Sequence, residues 1–256
     1  MKTVILCGGM GTRLSEETSV RPKPMVEIGG RPILWHVMKT YERHGFKDFV
    51  LALGYKGSMI KDYFLNYHRL TSDVTVRLRS GRASYANATA EDWTVSMYDT
   101  GLESLTGGRL FRLKKLLKGA GTFMLTYGDG VADVDVRALL KFHKKHGKIA
   151  TVTSVRPPSR FGTMEVRNGL VKSFKEKPQL GEGWINGGYM VFEQGVFDYL
   201  DDERTVLEGK PLESLAKNGQ LMAFRHEGFW QPMDTMRDKN YLEGLCANGH
   251  PPWLKR

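Results

Sequence analysis

The chain has 256 residues, 41% of them hydrophobic, which is enough apolar material for one large α/β domain built on a single core. Two cysteines, Cys7 and Cys246, exclude a disulfide framework and lack the company of a zinc site, and no run of about 18 apolar residues argues for a membrane span or signal peptide, so the expected setting is cytoplasmic. The formal net charge of +10 is spread among acids with only short clusters, such as Lys114-Lys115 and Lys141 to Lys148, which disfavours nucleic acid and suits small polyanionic substrates.

The first element is the apolar run Val4-Ile5-Leu6, read as a strand. It passes into Cys7-Gly8-Gly9-Met10-Gly11-Thr12-Arg13, where glycines allow a tight turn whose N–H groups can cradle an anion. Arg13 adds a planar fork suited to polyphosphate, and Lys23 follows, stiffened between Pro22 and Pro24. Two better-known glycine loops do not fit. Leu14 stands where a dinucleotide fingerprint wants its last glycine, and no Gly-Lys-Ser/Thr closes a Walker loop.

Pro32 opens a helix with Ile33, Leu34, Val37, Met38 and Tyr41 on one face, closed by Gly45. Asp48 to Leu53 reads as a buried strand, Ser58 to Tyr67 as a helix and Val74 to Leu78 as a strand, a βαβ rhythm that predicts a mostly parallel sheet with helices on its faces. Ser80 to Asp92, small and polar, is expected to be a loop or mobile flap, and Trp93 to Asp99 alternates like a half-buried strand. Arg109, after Gly107-Gly108 at an expected helix start, is placed to face an anion or to end in solvent.

Thr122 to Tyr127 is the strand that delivers Asp129 beyond its carboxyl end, where open α/β sheets bind ligands. A helix from Val134 to His146 is expected next, with His143 on its core face. Ala150 to Arg156 reads as a strand, and Met164 to Arg167 with Leu170 to Lys175 flank Asn168-Gly169 as a hairpin. That stretch suggests a smaller β-rich lobe laid over the sheet. Tyr189 to Phe192 and Leu221 to Arg225 read as strands, Pro211 to Asn218 as a helix. Asp234 precedes a last helix carrying Tyr241, Leu242, Leu245 and Cys246, a favoured N-cap position.

Taken together, GGMGTRL, RPKPM, IGGRPIL, YGDG at 127–130, FKEKP at 174–178, INGG at 185–188 and WQPMDT at 230–235 resemble, in order and over nearly the whole chain, the sugar-1-phosphate nucleotidyltransferases. Ser15-Glu16-Glu17-Thr18, Asp99-Thr100-Gly101 with Thr106 to Leu110, and GFWQPMDT point within that family to the cytidylyl branch, which makes CDP-glucose from CTP and glucose 1-phosphate. The resemblance implies a Rossmann-like α/β fold in one domain, with residues 1–150 binding nucleotide and 151–256 binding sugar phosphate. It implies Arg13, Lys23 and Asp129 as catalytic residues, and nucleotide contacts from Leu6, Gly8, Gly9, Met10, Gly11, Thr12, Ser104, Arg109 and Gly128. Glu176, Lys177, Asn186 and Gly187 would hold the sugar phosphate, Asp129 and Asp234 a Mg²⁺ ion, in a homo-oligomer for which a hexamer is one form. Competing expectations are a uridylyl-, thymidylyl- or guanylyltransferase on the same scaffold, or a catalytically silent nucleotide-sugar sensor or nucleic-acid-binding protein that keeps it.

Overall fold

The computed structural model describes residues 1–87, 89–157, 163–167, 170–175, 183–249 and 251–255. Seven strands form one sheet: β1 (Lys2–Cys7), β2 (Asp48–Leu53), β3 (Thr94–Asp99), β4 (Phe123–Tyr127), β5 (Ala150–Val155), β6 (Ile185–Phe192) and β7 (Leu221–His226). Their spatial order is β7-β5-β6-β4-β1-β2-β3. Every neighbouring pair is parallel except those made by β6, which runs antiparallel to both β5 and β4.

Strands buried on both faces read as continuous apolar runs, and β1 and β2 show why. Along them, alternate side chains serve two cores. Ile5, Cys7, Phe49 and Leu51 face helix α1 (Ile33–Glu42), with its buried Ile33, Leu34, Val37, Met38 and Tyr41. Val4, Leu6, Val50 and Ala52 face the opposite layer, which holds Leu110 and Leu113, Phe197 and Leu215. The expected mostly parallel sheet with helices on both faces is present.

Three elements differ from the sequence expectation. Asp73–Arg77 pairs not with the sheet but with Arg82–Ala86, in an antiparallel ribbon exposed along its whole length, so the stretch expected as a flap contains a strand. The third parallel strand is therefore β3. In the stretch expected as a smaller lobe, β5, β6 and β7 belong to the main sheet, while Thr163–Arg167 and Leu170–Lys175 form an antiparallel pair apart from it. Finally, the chain after Asp129 does not enter a helix directly. Gly130–Ala132 forms a short strand against Trp230–Pro232 before the next long helix, Val136–His146.

This topology fixes where a site can be. Registers Leu6↔Tyr127, Cys7↔Leu53 and Leu53↔Asp99 bring the carboxyl ends of β4, β1, β2 and β3 level at one edge. The glycine loop after β1 and Asp129 after β4 thus emerge side by side. The C-terminal turn packs on this same chain: Trp253 is fully buried, its ring 5.5 Å from that of Phe229.

Candidate active site

At that edge lie two adjoining open hollows, of about 240 and 340 Å³. The first is lined by the loop after β1 (Leu6, Gly9, Gly11, Thr12) together with Lys23 and Gly128. The second is lined by Tyr127, Asn186, Gly187, Tyr189 and Trp230. Arg13 and Asp129 line both.

Between them sits a cluster drawn from three distant segments. The Lys23 ammonium donates to Asp129 Oδ2 and to Asp234 Oδ1, each at 2.7 Å, and Arg13 Nη1 lies 3.0 Å from Asp234 Oδ2. Burial disfavours the charged lysine, but the two carboxylates outweigh it and hold its pKa above the ordinary value. Arg13, with its side chain 71% exposed, makes only a screened surface pair and is free to turn towards an incoming anion.

Two short strands hold the carboxylates together. The pairing of Gly130–Ala132 with Trp230–Pro232, continued by Met233 N–H donating to the Asp129 carbonyl at 2.8 Å, sets Asp129 opposite Met233 and so beside Asp234. Asp234 is not the helix cap that its position suggests. Thr235 caps the helix Met236–Ala247 in a reciprocal box with Asp238, so the Asp234 carboxylate remains available to the cleft.

Other residues singled out from sequence fall elsewhere. Arg109 is not at a helix start but in the last turn of Thr106–Arg112, and is 4% exposed. Its guanidinium donates to the carbonyls of Gly8 (2.9 Å), Leu53 (3.0 Å), Gly101 (2.8 Å) and Leu102 (3.3 Å), and to Thr100 Oγ1 (2.9 Å). One side chain thus ties the ends of β1, β2 and β3. Gly8 is required for this, since a Cβ there would lie 2.1 Å from the guanidinium carbon. Ser104 is buried beside Gly101 and lines neither hollow, and Met10 is 59% exposed at the loop surface. Glu176 and Lys177 lie outside the described residues. Cys7 is buried, and burial pushes its thiol well above the ordinary range, as befits an apolar filler.

Tyr127 and Trp230 are the wall residues that sequence reasoning passed over. Each stands inside a motif already singled out, beside Asp129 and Asp234, and an aromatic next to a converging carboxylate is the signal that marks them. Trp230 Nε1 donates to the Gly187 carbonyl at 2.8 Å, bracing the far wall.

Among the described residues no three metal-ligating side chains cluster, so any cation here relies on few protein ligands. The donor chemistry nevertheless suits a hard cation. Asp129 and Asp234 converge on one positively charged atom, and such ions take one or two carboxylates plus substrate oxygens.

The chain is 55% identical over 253 residues to a glucose-1-phosphate cytidylyltransferase of Salmonella typhimurium, covering 99% of this chain and 98% of the relative. It is 30% identical over 266 residues to a mannose-1-phosphate guanylyltransferase catalytic subunit beta of Xenopus tropicalis, covering 99% and 68%. In fold it is similar to a UDP-glucose pyrophosphorylase from Acinetobacter baumanii, with a TM-score of 0.72 at 16% identity over 99% of this chain and 95% of that one. The match to the nucleotidyl transferase family runs from residue 2 to residue 243 and takes in every side chain of the cleft, and the chain belongs to that family.

Proposed function

We propose that the chain transfers the cytidylyl group of CTP to α-D-glucose 1-phosphate, giving CDP-glucose and pyrophosphate. The observation that carries this reading is the 55% identity, over nearly all of both chains, to a protein named for that reaction. A phosphate oxygen of the sugar phosphate attacks the α-phosphorus of CTP, and the bond to the oxygen bridging the α- and β-phosphorus breaks as pyrophosphate leaves. Both reactants are anions, so positioning and charge neutralisation supply the catalysis, and no protein nucleophile is needed.

In this reading the first hollow takes the nucleotide, with the loop from Gly8 to Thr12 against its phosphates. Arg13 holds the departing pyrophosphate, while Lys23 neutralises the α-phosphate as it becomes five-coordinate. The second hollow takes the sugar phosphate, with Asn186 and the Gly187 backbone at its wall, and Glu176 and Lys177 are assigned to the same ligand by the family resemblance. Asp129 and Asp234 would hold Mg²⁺, which when bound neutralises phosphate charge and orients the triphosphate. The chain works in the cytoplasm as a homo-oligomer, a reading that light scattering on the purified protein checks.

Initial-rate assays with glucose 1-phosphate and each of CTP, UTP, dTTP and GTP test the assignment through Mg²⁺-dependent pyrophosphate release. CTP is expected to be preferred strongly. Cytosine and uracil differ by a donor against an acceptor at one exocyclic position, and a site built to satisfy that group discriminates well. Equal rates with CTP and UTP would overturn the cytidylyl assignment, and the absence of any release would overturn the reaction.

A further inference from the structure

Beyond the carboxylate cluster, the second hollow has a support that reaches across to the nucleotide side. The Tyr127 hydroxyl donates to Glu208 Oε1, and the Thr106 hydroxyl donates to Glu208 Oε2 at 2.5 Å. Thr106 Oγ1 in turn accepts the Leu207 N–H at 2.9 Å, so both oxygens of one exposed carboxylate are engaged by hydroxyls from different elements. Thr106 begins the helix that carries Arg109; Tyr127 ends β4.

Tyr127 packs its ring against Gly188, and Asn186 lines the same hollow. Its Oδ1 accepts the Gly188 N–H at 2.9 Å. That bond turns the amide oxygen to the backbone and so sets which end of the amide is the donor. The phenol can lie there only because residue 188 is glycine: φ is +82°, and a Cβ would stand 2.6 Å from the Tyr127 ring.

We propose that Tyr127 and Glu208 are positioning residues for the acceptor sugar phosphate: Glu208 fixes the Tyr127 phenol, whose ring packs on Gly188, and Gly188 in turn holds the Asn186 amide that the sugar hydroxyls meet. This rests on the reading of the second hollow as the sugar-phosphate site. The carboxylate sets where the ring lies, because the phenol O–H is committed to Glu208 Oε1. Neither residue lines the first hollow. Their loss therefore weakens acceptor binding without altering the chemistry at phosphorus.

The test is an initial-rate comparison of wild type, Tyr127→Phe, Glu208→Gln and the double variant, varying glucose 1-phosphate at saturating CTP and then the reverse. Each single variant is expected to raise KM for glucose 1-phosphate about five- to tenfold, the value of one lost hydrogen bond, with kcat and the KM for CTP within about twofold. The double variant should be no worse than Tyr127→Phe alone, because Glu208 acts through the phenol. If the variants lower thermal stability but leave KM for glucose 1-phosphate unchanged, the pair is only a strut and the proposal is wrong. An equal rise in both KM values would also overturn it. Glu208 is exposed, so Glu208→Gln carries the test even if Tyr127→Phe misfolds. Wild-type turnover reads the proposed reaction separately. Should it be absent, calorimetric titration of the same proteins with glucose 1-phosphate and mannose 1-phosphate decides, unchanged dissociation constants again overturning the relay.

Discussion

Lys23 places one ammonium 2.7 Å from each of two aspartates, so the cluster carries its own counter-ion. A divalent cation and this lysine compete for the same oxygens. Lys23→Met keeps the length and removes the charge, and two consequences follow. Turnover falls by at least about 100-fold, because the α-phosphate loses its cation. Meanwhile Mn²⁺ binding without nucleotide, read by electron paramagnetic resonance, tightens about tenfold, the scale of an ordinary coupling between sites. Unchanged or weaker Mn²⁺ binding would mean that the lysine and the metal do not share those oxygens. Asp129→Asn is the companion test. It preserves shape, since the amide fills the same volume, and is expected to lower Mg²⁺-dependent kcat by about 100-fold or more while the melting temperature moves by only a few degrees. Arg13, Lys23 and Asp129 are legible in sequence because glycines, a Pro-Lys-Pro clamp and an aspartate after an apolar run are local patterns. The link between Tyr127 and Glu208 is not, because it spans 81 residues and arises only once the sheet and the helix beside it have packed.

At the scale of elements, Arg109 shows how a local pattern misleads. Gly107-Gly108 looks like the approach to a helix, yet both lie inside one. A Cβ on Gly108 would stand 1.8 Å from the Glu203 carbonyl oxygen, so the glycine permits close packing of the helix on the 203–207 segment. The arginine that follows is carried inward, where burial lowers its pKa and carbonyls of three strand ends accept its protons. Arg109→Lys loses the fork and leaves buried carbonyls unpaired. Urea unfolding should show a loss of about 2 kcal/mol or more, with a rise in KM for CTP as the loop after β1 loosens. A variant of wild-type stability would show that the carbonyls find other donors. The strands themselves are plain in sequence where both faces are buried: Asp48 to Leu53 has the predicted bounds, because a continuous apolar run has no other use there. The ribbon Asp73–Arg77 with Arg82–Ala86 is only half legible, since it faces solvent and carries no hydrophobic period to betray its second strand.

For the whole molecule, His36 couples stability to acidity. It is buried in α1, with Nε2 2.8 Å from the Ile28 carbonyl and Nδ1 accepting the Trp253 indole N–H at 3.1 Å. The ring is therefore neutral with its proton on Nε2. A second proton on Nδ1 would confront another donor. Burial, the dominant cause, lowers its pKa from 6.5 to about 4. The unfolded chain thus takes up a proton near pH 6.5 and the folded chain does not until about pH 4, so stability is complete above 6.5 and falls with pH between those values. The slope contributed by His36 is up to about 1.4 kcal/mol per pH unit. Denaturant unfolding at pH 7.5, 6.5 and 5.5 measures it, and His36→Asn should flatten the profile. A profile of the same steepness in that variant would place the sensitivity at other groups, of which buried His143 is the next, its pKa also lowered by burial.

The order of the strands also bears on how the chain is made. β6 lies between β4 and β5, although β4 and β5 both precede it in sequence. A nascent chain that has emerged as far as β5 can assemble β4-β1-β2-β3, yet β4 still presents one row of unpaired amides and carbonyls over Phe123, Met124 and Leu125. Until residues 185–192 leave the ribosome that edge has no partner of its own, and it is the place where a stalled or truncated chain would stick to its neighbours.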